Sequence, residues 1–441
     1  MTLKNYFDGE NYRANFELTR AMLPGQEVIW LNALREASIS KFVQIGLPGP
    51  KVEEWKYSNL NVINSTSYET VDENSDCIEQ ADKLLEQANI ENISGIKVVF
   101  VDGYCSDKLS NIQSHSGVSL ISLKELLKTN SGNAEKLFKT TPDENSLRNL
   151  NIAFMTDGFI LDIDDDVKLA EPIQVVHIST KSSHTKALRQ NNYIHIGTGA
   201  SAQVIESFIG PDHINNWSHN VSKIVVEEKA SLEVYQFQLE GNETIHMNEC
   251  VVETATEAYF RHYSLNVGGK LSRTEIKPTL NGLHGQVELR GAFLGRNGNS
   301  HDVFTHMKHM VPECNSDQIY RSVLDHGGKS AFQGKVLVAK DAQLTNANQS
   351  NKNLLLDRNA EANSKPELLI YADDVKCTHG ATVGELDQEA LFYLKSRGLE
   401  ASAAKALMVE AFVAEVYEEI ELAPVKEKYL SIARQWLEAR D

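Results

Sequence analysis

Long apolar runs are missing from this sequence. Nowhere do eighteen apolar residues stand together, so no segment can cross a bilayer as a helix. The stretch Met1 to Glu17, MTLKNYFDGENYRANFE, lacks the apolar core of a secretory leader. Cysteine is sparse. Cys77, Cys105, Cys250, Cys314 and Cys377 are odd in number and far apart, and no C-x-x-C pair occurs. This fits reduced thiols in a cytoplasm better than a disulfide framework, and it excludes a self-contained cysteine-rich zinc or ferredoxin site. Positive charge is in deficit. A formal net charge of -18 repels phosphate backbones and anionic lipid, so neither nucleic acid nor a membrane is an expected partner.

The familiar catalytic engines are absent too. There is no G-x-x-x-x-G-K-S/T phosphate loop and no G-x-S-x-G elbow, and Gly197-x-Gly199 lacks the third glycine of a dinucleotide fingerprint. The acidic run Leu161 to Asp166 resembles the start of a calcium loop. It fails at Val167, where glycine is needed, and at Ile173, where a bidentate glutamate is needed, so a solvated turn is expected. His301, His306, His309 and Cys314 crowd into fourteen positions but match no zinc spacing. His301 and His309 share a strand parity that His306 does not, so surface or interface histidines are the default reading.

What is present is a globular composition. Hydrophobic residues make up 41% and charged residues 24% of 441, enough for a large core and too apolar for a disordered chain. Three zones differ in texture. Residues 1–155 read as mixed and mainly helical: a helix over Glu27 to Phe42 with Trp30, Leu31, Leu34 and Ala37 on one face, and a strand over Ile96 to Val101. A further helix is expected over Leu120 to Lys128, and another after Asp143 as N-cap. Residues 156–384 carry short Val, Ile, Phe and Tyr runs between turn clusters such as Gly197 to Ser201, Glu227 to Ser231 and Gly327 to Ser330. No helical pattern of ten residues interrupts them, which predicts an all-β region. Turn clusters recur every 20–30 residues, a spacing that leaves a solenoid and a sandwich both open. Residues 385–441 return to helix. Gly398 suits a C-terminal cap, Val409, Phe412, Val413, Val416 and Ile420 form one apolar stripe, and Pro424 opens a last helix. By pattern, that stripe caps the β region or docks a partner, with capping favoured.

The remaining chemical candidate is Lys376-Cys377-Thr378-His379-Gly380. On a strand, Cys377 and His379 point to one side about 7 Å apart, a thiol and an imidazole that both suit iron in a sulfide environment. Lys376 next door would favour the thiolate. Two ligands cannot hold a cluster, and by residue chemistry alone a core cysteine beside a hydrogen-bonded histidine is the better reading.

The surrounding segment, Lys365 to Gly384, is similar nearly residue for residue to the signature of the SufB/SufD family. Further similarity lies at His309, Pro312, Ser316 and Gln318, at Phe332 to Val336, at Gln349 with Asn353 to Leu356, at Ala390 to Gly398, and near the front at Glu54-Trp55-Lys56-Tyr57. The form Ala372-Asp373-Asp374-Val375-Lys376-Cys377 followed by His379-Gly380 resembles the SufD branch, with a SufB-type paralogue as runner-up. The resemblance implies a right-handed parallel β-helix flanked by helical N- and C-terminal regions, and a non-catalytic scaffold role in iron–sulfur cluster assembly. It implies two partners, SufB and the ATPase SufC. SufC would dock on the C-terminal helices, which moves docking ahead of capping for Val409, Phe412, Val413, Val416 and Ile420. The last strands would face SufB, putting Cys377 and His379 at that interface as iron or cluster ligands that need partner-chain ligands to complete them. The isolated chain is expected to hold no cofactor, and its SufB-facing edge leaves a monomer and a homodimer both open. A transient iron–sulfur cluster belongs to the complex, and the reduced flavin associated with the family's complex has no motif here. A polysaccharide-acting β-helix enzyme is the reading from another class, and it lacks an identified set of catalytic acids and bases.

Overall fold

Alternating apolar and polar residues, repeated with little helical punctuation, can be buried in a sandwich or in a solenoid. This chain coils. A computed structural model of the protein describes residues 9–64, 66–73, 77–138 and 140–439, and the leader reading of residues 1–8 lies outside them.

The N-terminal region begins with α1 (Gly9–Thr19) and α2 (Ile29–Ile45). The second covers the helix expected over 27–42 and buries Leu31, Leu34, Ile39 and Phe42, while Ala37 is exposed. There follow α3 (Asn61–Asn64), β1 (Glu69–Thr70), α4 (Ile78–Ala88), β2 (Lys97–Val101) and β3 (Tyr104–Cys105). Next come β4 (Val118–Ser122), α5 (Leu123–Thr129), α6 (Ser131–Phe138) and α7 (Ser146–Phe154). Two expectations shift here. The helix expected from Leu120 starts at Leu123, because Leu120 and Ile121 pair antiparallel with a neighbouring strand and the Ser122 hydroxyl then accepts the Glu125 N–H as N-cap. Asn145, not Asp143, caps α7 by accepting the Arg148 N–H, and Asp143 in turn accepts the Asn145 N–H at 2.8 Å.

The coils follow in chain order. They are β5 (Phe159–Ile163), β6 (Ile173–Ile178), β7 (Lys186–Ile196), β8 (Ser201–Ile209), β9 (Trp217–Val226), β10 (Ser231–Leu239), β11 (Ile245–Thr254) and β12 (Tyr259–Asn266). Then come β13 (Leu271–Leu280), β14 (Gln286–Gly295), β15 (Ser300–His309), β16 (Asn315–Leu324), β17 (Lys329–Val338), β18 (Asn346–Leu355), β19 (Glu361–Ile370) and β20 (Lys376–Gly384). Odd-numbered strands from β5 to β19 stack parallel in one sheet and even-numbered strands from β6 to β20 in the other, so the chain winds as a parallel β-helix. One coil takes 27 residues from Phe260 to Val287 (287 − 260) and 30 from Ala347 to Cys377 (377 − 347).

The corner between the two sheets explains why the repeat is hard to see. Lys229, Glu257, His284, Glu313 and Leu344 occupy equivalent corners in the left-handed backbone region, and none is glycine. Stacking of corners holds them there. The Lys229 N–H donates to the Thr256 carbonyl at 2.9 Å and the Glu257 N–H to the Leu283 carbonyl at 2.8 Å, so each coil supplies the acceptor for its neighbour.

Inward residues build the core. Leu232, Phe260, Val287, Ala347 and Cys377 form one register column, broken only by Ser316. The outer faces are covered by the ends of the chain. Trp55 and Phe154 from the N-terminal region pack on Trp217, Met247 and Leu271 of one sheet. At the other end come α8 (Gln388–Ser396), which packs on α9 (Ala401–Ala414), a single 3₁₀ turn (Glu415–Tyr417) and α10 (Ala423–Glu438); from α9 onward they lean on the second sheet, around Phe237, Tyr263 and Leu265.

Candidate functional site

A solenoid has two ends, and the C-terminal one is open. Strand β20 pairs with β18 and β19 pairs with β17, and among the described residues neither has a partner on its other edge. Exposed Leu369, Ile370, Tyr371 and Val383 surround these edges. An unpaired edge rimmed by apolar side chains is a template for another chain.

Cys377 and His379 sit on β20 on the same side, facing the lumen of this open coil. Cys377 stacks over buried Ala347, is half-buried, and packs against the main core. His379 stacks over buried Gln349 and is exposed. The cysteine is thus partly a core residue, while the imidazole is exposed and not a core histidine. Lys376 does not assist the thiol as expected. It alternates to the opposite side of the strand, and burial pushes the Cys377 thiol up, against a smaller downward pull from the Ala347 N–H. Two donors remain two. No group of three or more His, Cys, Asp or Glu side chains able to hold a metal occurs among the described residues.

The other histidines separate as their parity requires, but not to the surface. His301 and His309 point into the lumen and are buried, and Cys314 is buried at a corner. The expectation of surface histidines is corrected for these two: a parallel β-helix has an inside, and alternate residues of every strand enter it. Burial lowers both imidazoles to about 4, and His309 bonds Ser316 Oγ at 2.9 Å. His306 lies half-buried on the outer face, lowered to about 4 by burial and by Lys308, Lys335 and Lys277. The acidic run at Asp164 to Asp166 is an exposed turn.

The C-terminal stripe is also consumed. Val409, Val413, Val416 and Ile420 are buried against Tyr263, Leu265, Ala292 and Val323 of the solenoid, with Phe412 partly buried beside them. They fasten the helices to the β-helix, and the face left for a partner is a different one. Phe392, Tyr393 and Leu407 are 73%, 56% and 47% exposed on α8 and α9. The sequence did carry a signal for them: Leu391-Phe392-Tyr393 puts bulky apolar groups side by side, more than one helix face can bury.

Comparison with known proteins points to one family. Residues 177–412 match the family described as SUF system FeS cluster assembly, SufBD core domain, and residues 8–175 match the SufBD protein N-terminal region. A SufBD family iron–sulfur cluster assembly protein of Synechocystis sp. is 27% identical over 424 residues, covering 92% of this chain and 91% of the relative. The iron–sulfur cluster assembly protein SufD of Escherichia coli is 27% identical over 396 residues, covering 89% and 90%. That of Bacillus subtilis is 24% identical over 416 residues, covering 92% and 94%.

Proposed function

The chain belongs to the SufBD family of iron–sulfur cluster assembly proteins, and we propose that it serves there as a non-catalytic scaffold subunit of the SufD kind. The observation that carries this reading is the pair Cys377 and His379, half a ligand set displayed on an unpaired edge strand. A cluster needs about four protein ligands. The missing ones would come from a chain that pairs with β19 and β20, a SufB-type subunit in the assembled machine. Iron and sulfide are the cargo of this site and not its resident cofactor. The ATPase SufC would engage Phe392, Tyr393 and Leu407. Nucleotide-driven movement of α8 and α9 would then reach the open end through the short junction from Gly384 to Asp387, which joins β20 to α8. Without a partner, the same edge would pair with a second copy. The five cysteines are all free thiols, which fits a reducing cytoplasm.

Reconstitution with SufB- and SufC-type proteins tests the proposal. The wild-type chain is expected to co-purify with both and to support cluster formation, while His379→Ala assembles normally but yields several-fold less cluster. Failure of the wild-type chain to bind the ATPase, or a normal yield from the variant, would defeat the corresponding half.

A further inference from the structure

Beneath the open coil lies a set of buried amides with too few partners. Gln349 is 1% exposed, and neither its carbonyl oxygen nor its amide nitrogen has a hydrogen-bond partner. Its neighbours are at least half satisfied. The Gln318 Oε1 accepts from the Thr305 hydroxyl at 2.6 Å, and the Asn351 Oδ1 accepts from the Asn353 amide at 2.7 Å. Gln349 has no such anchor. Its carboxamide occupies room that Gly334 leaves: a Cβ on Gly334 would stand 1.9 Å from Gln349 Nε2. Any larger residue at 334 would evict it.

A buried carboxamide with both ends idle carries the full cost of losing water, and an apolar side chain of similar size would avoid that cost. The amide therefore has a use one rung away. In register directly above it, about 4.8 Å along the solenoid, is His379, on the same inward face. A neutral imidazole donates from one ring nitrogen and accepts at the other, and which does which is fixed by the partner of the N–H. A histidine that binds metal needs that choice made, since the ligand takes the nitrogen without the proton.

We propose that Gln349 is the positioning residue for His379. Its carbonyl oxygen accepts the imidazole N–H, holds the ring over the coil, and leaves the other nitrogen directed to the open end with its lone pair free. Rotation about the two side-chain bonds of His379 forms the contact, and Gly334 is the residue that gives the amide its seat. The purpose assigned to the contact rests on the scaffold reading above, but the contact itself does not.

Imidazole ¹⁵N spectra of the full chain, with His379→Ala to assign the signal, test the contact. The wild-type ring is expected to hold one tautomer. Gln349→Leu should release it to a mixture, and Gly334→Ala, which closes the seat, should do the same. Gln349→Glu keeps an acceptor at the same place, so it should restore a single tautomer. This last variant guards against misfolding as an explanation, because a damaged fold would not give a gain. Identical tautomer ratios in the wild-type chain, Gln349→Leu and Gln349→Glu would overturn the proposal whatever the cluster yield. If the spectra behave as expected while His379→Ala forms clusters normally, the positioning contact stands and the scaffold site does not.

Discussion

The guanidinium carbon of Arg273 lies 3.8 Å from the ring centroid of Trp55, and this one stack joins the N-terminal region to the middle of the solenoid. The same guanidinium donates to Glu275 Oε1, the Ser58 hydroxyl and the Glu54 carbonyl, each at 2.8 Å. Arg273 itself is out of water, 1% exposed. The Gln333 amide also reaches the Glu54 carbonyl at 3.1 Å, and Lys365 on β19 bonds Glu53, so the Glu53–Trp55 turn straps successive coils from β13 to β19.

Arg273→Ala is therefore expected to destabilise the protein by about 3–5 kcal/mol, since it leaves buried Glu275 and Asp302 short of a cation. Arg273→Lys should recover little, because one ammonium cannot serve three acceptors in a plane while stacking on indole. Urea unfolding followed by fluorescence measures both. A loss under about 1 kcal/mol for the alanine variant would show that the strap is decorative.

Stability should fall as pH drops from 7 to 5. Burial lowers His262, His301 and His309 to about 4, burial with nearby lysines does the same to His306, and burial with Arg189 lowers His219 to about 3. Each is neutral in the folded chain and protonates first in the unfolded one, so its contribution is present above the unfolded value and is lost as pH falls toward the folded one. Asp157 and Asp302 oppose this. Burial raises both to about 6, so they favour the fold at low pH and lose that contribution as pH rises through 6. Five histidines outweigh Asp157, Asp302 and the likewise raised Asp102, leaving a net slope on the order of 2–3 kcal/mol per pH unit near pH 5. Urea midpoints at pH 7 and pH 5 decide the sign, and an equal or higher midpoint at pH 5 would contradict it.

Much of this was legible before the fold was known. Strand parity placed His301 and His309 together and His306 apart, and the turn clusters marked the corners. Handling of those corners was not legible, because Lys229, Glu257 and Leu344 take a backbone shape normally signalled by glycine, and only contacts with the next coil hold them in it. Nor could the stripe from Val409 to Ile420 declare its destination. Helical spacing defines an apolar face but not what lies opposite, and here the solenoid's own Tyr263 and Leu265 lie opposite. Gln349 was visible only as a polar residue in a stretch similar to the family. Its lack of partners is a property of the packed lumen.

The two faces of the C-terminal helices should separate in experiment. Val413 and Tyr417 are buried, and the Tyr417 hydroxyl donates to the Ser264 carbonyl at 2.7 Å. Tyr417→Ala should cost about 3–5 kcal/mol and open α9 and α10 to proteases. Phe392→Ala and Leu407→Ala, on the exposed face, should change stability by no more than about 0.5 kcal/mol yet weaken ATPase binding at least tenfold. Undiminished binding by the exposed-face double variant would move the docking site elsewhere.

Thiol chemistry should single out Cys377. Cys250 and Cys314 are buried in the lumen and at a corner, and Cys77 is buried beside Ser182. Of the two half-buried thiols, Cys105 is pushed up to about 12 by burial and by Asp157, whereas Cys377 is raised by burial alone. Only the thiolate attacks an alkylating agent, so Cys377 should be the first to react in the folded chain. It should still react more slowly than a free thiol at pH 8, with a rate that keeps rising past pH 9. Pairing of β20 with a partner would cover it and stop the reaction. Mass mapping after iodoacetamide pulses, with and without a SufB-type chain, reads both effects, and equal labelling in the two states would mean that the open end is not where the partner sits.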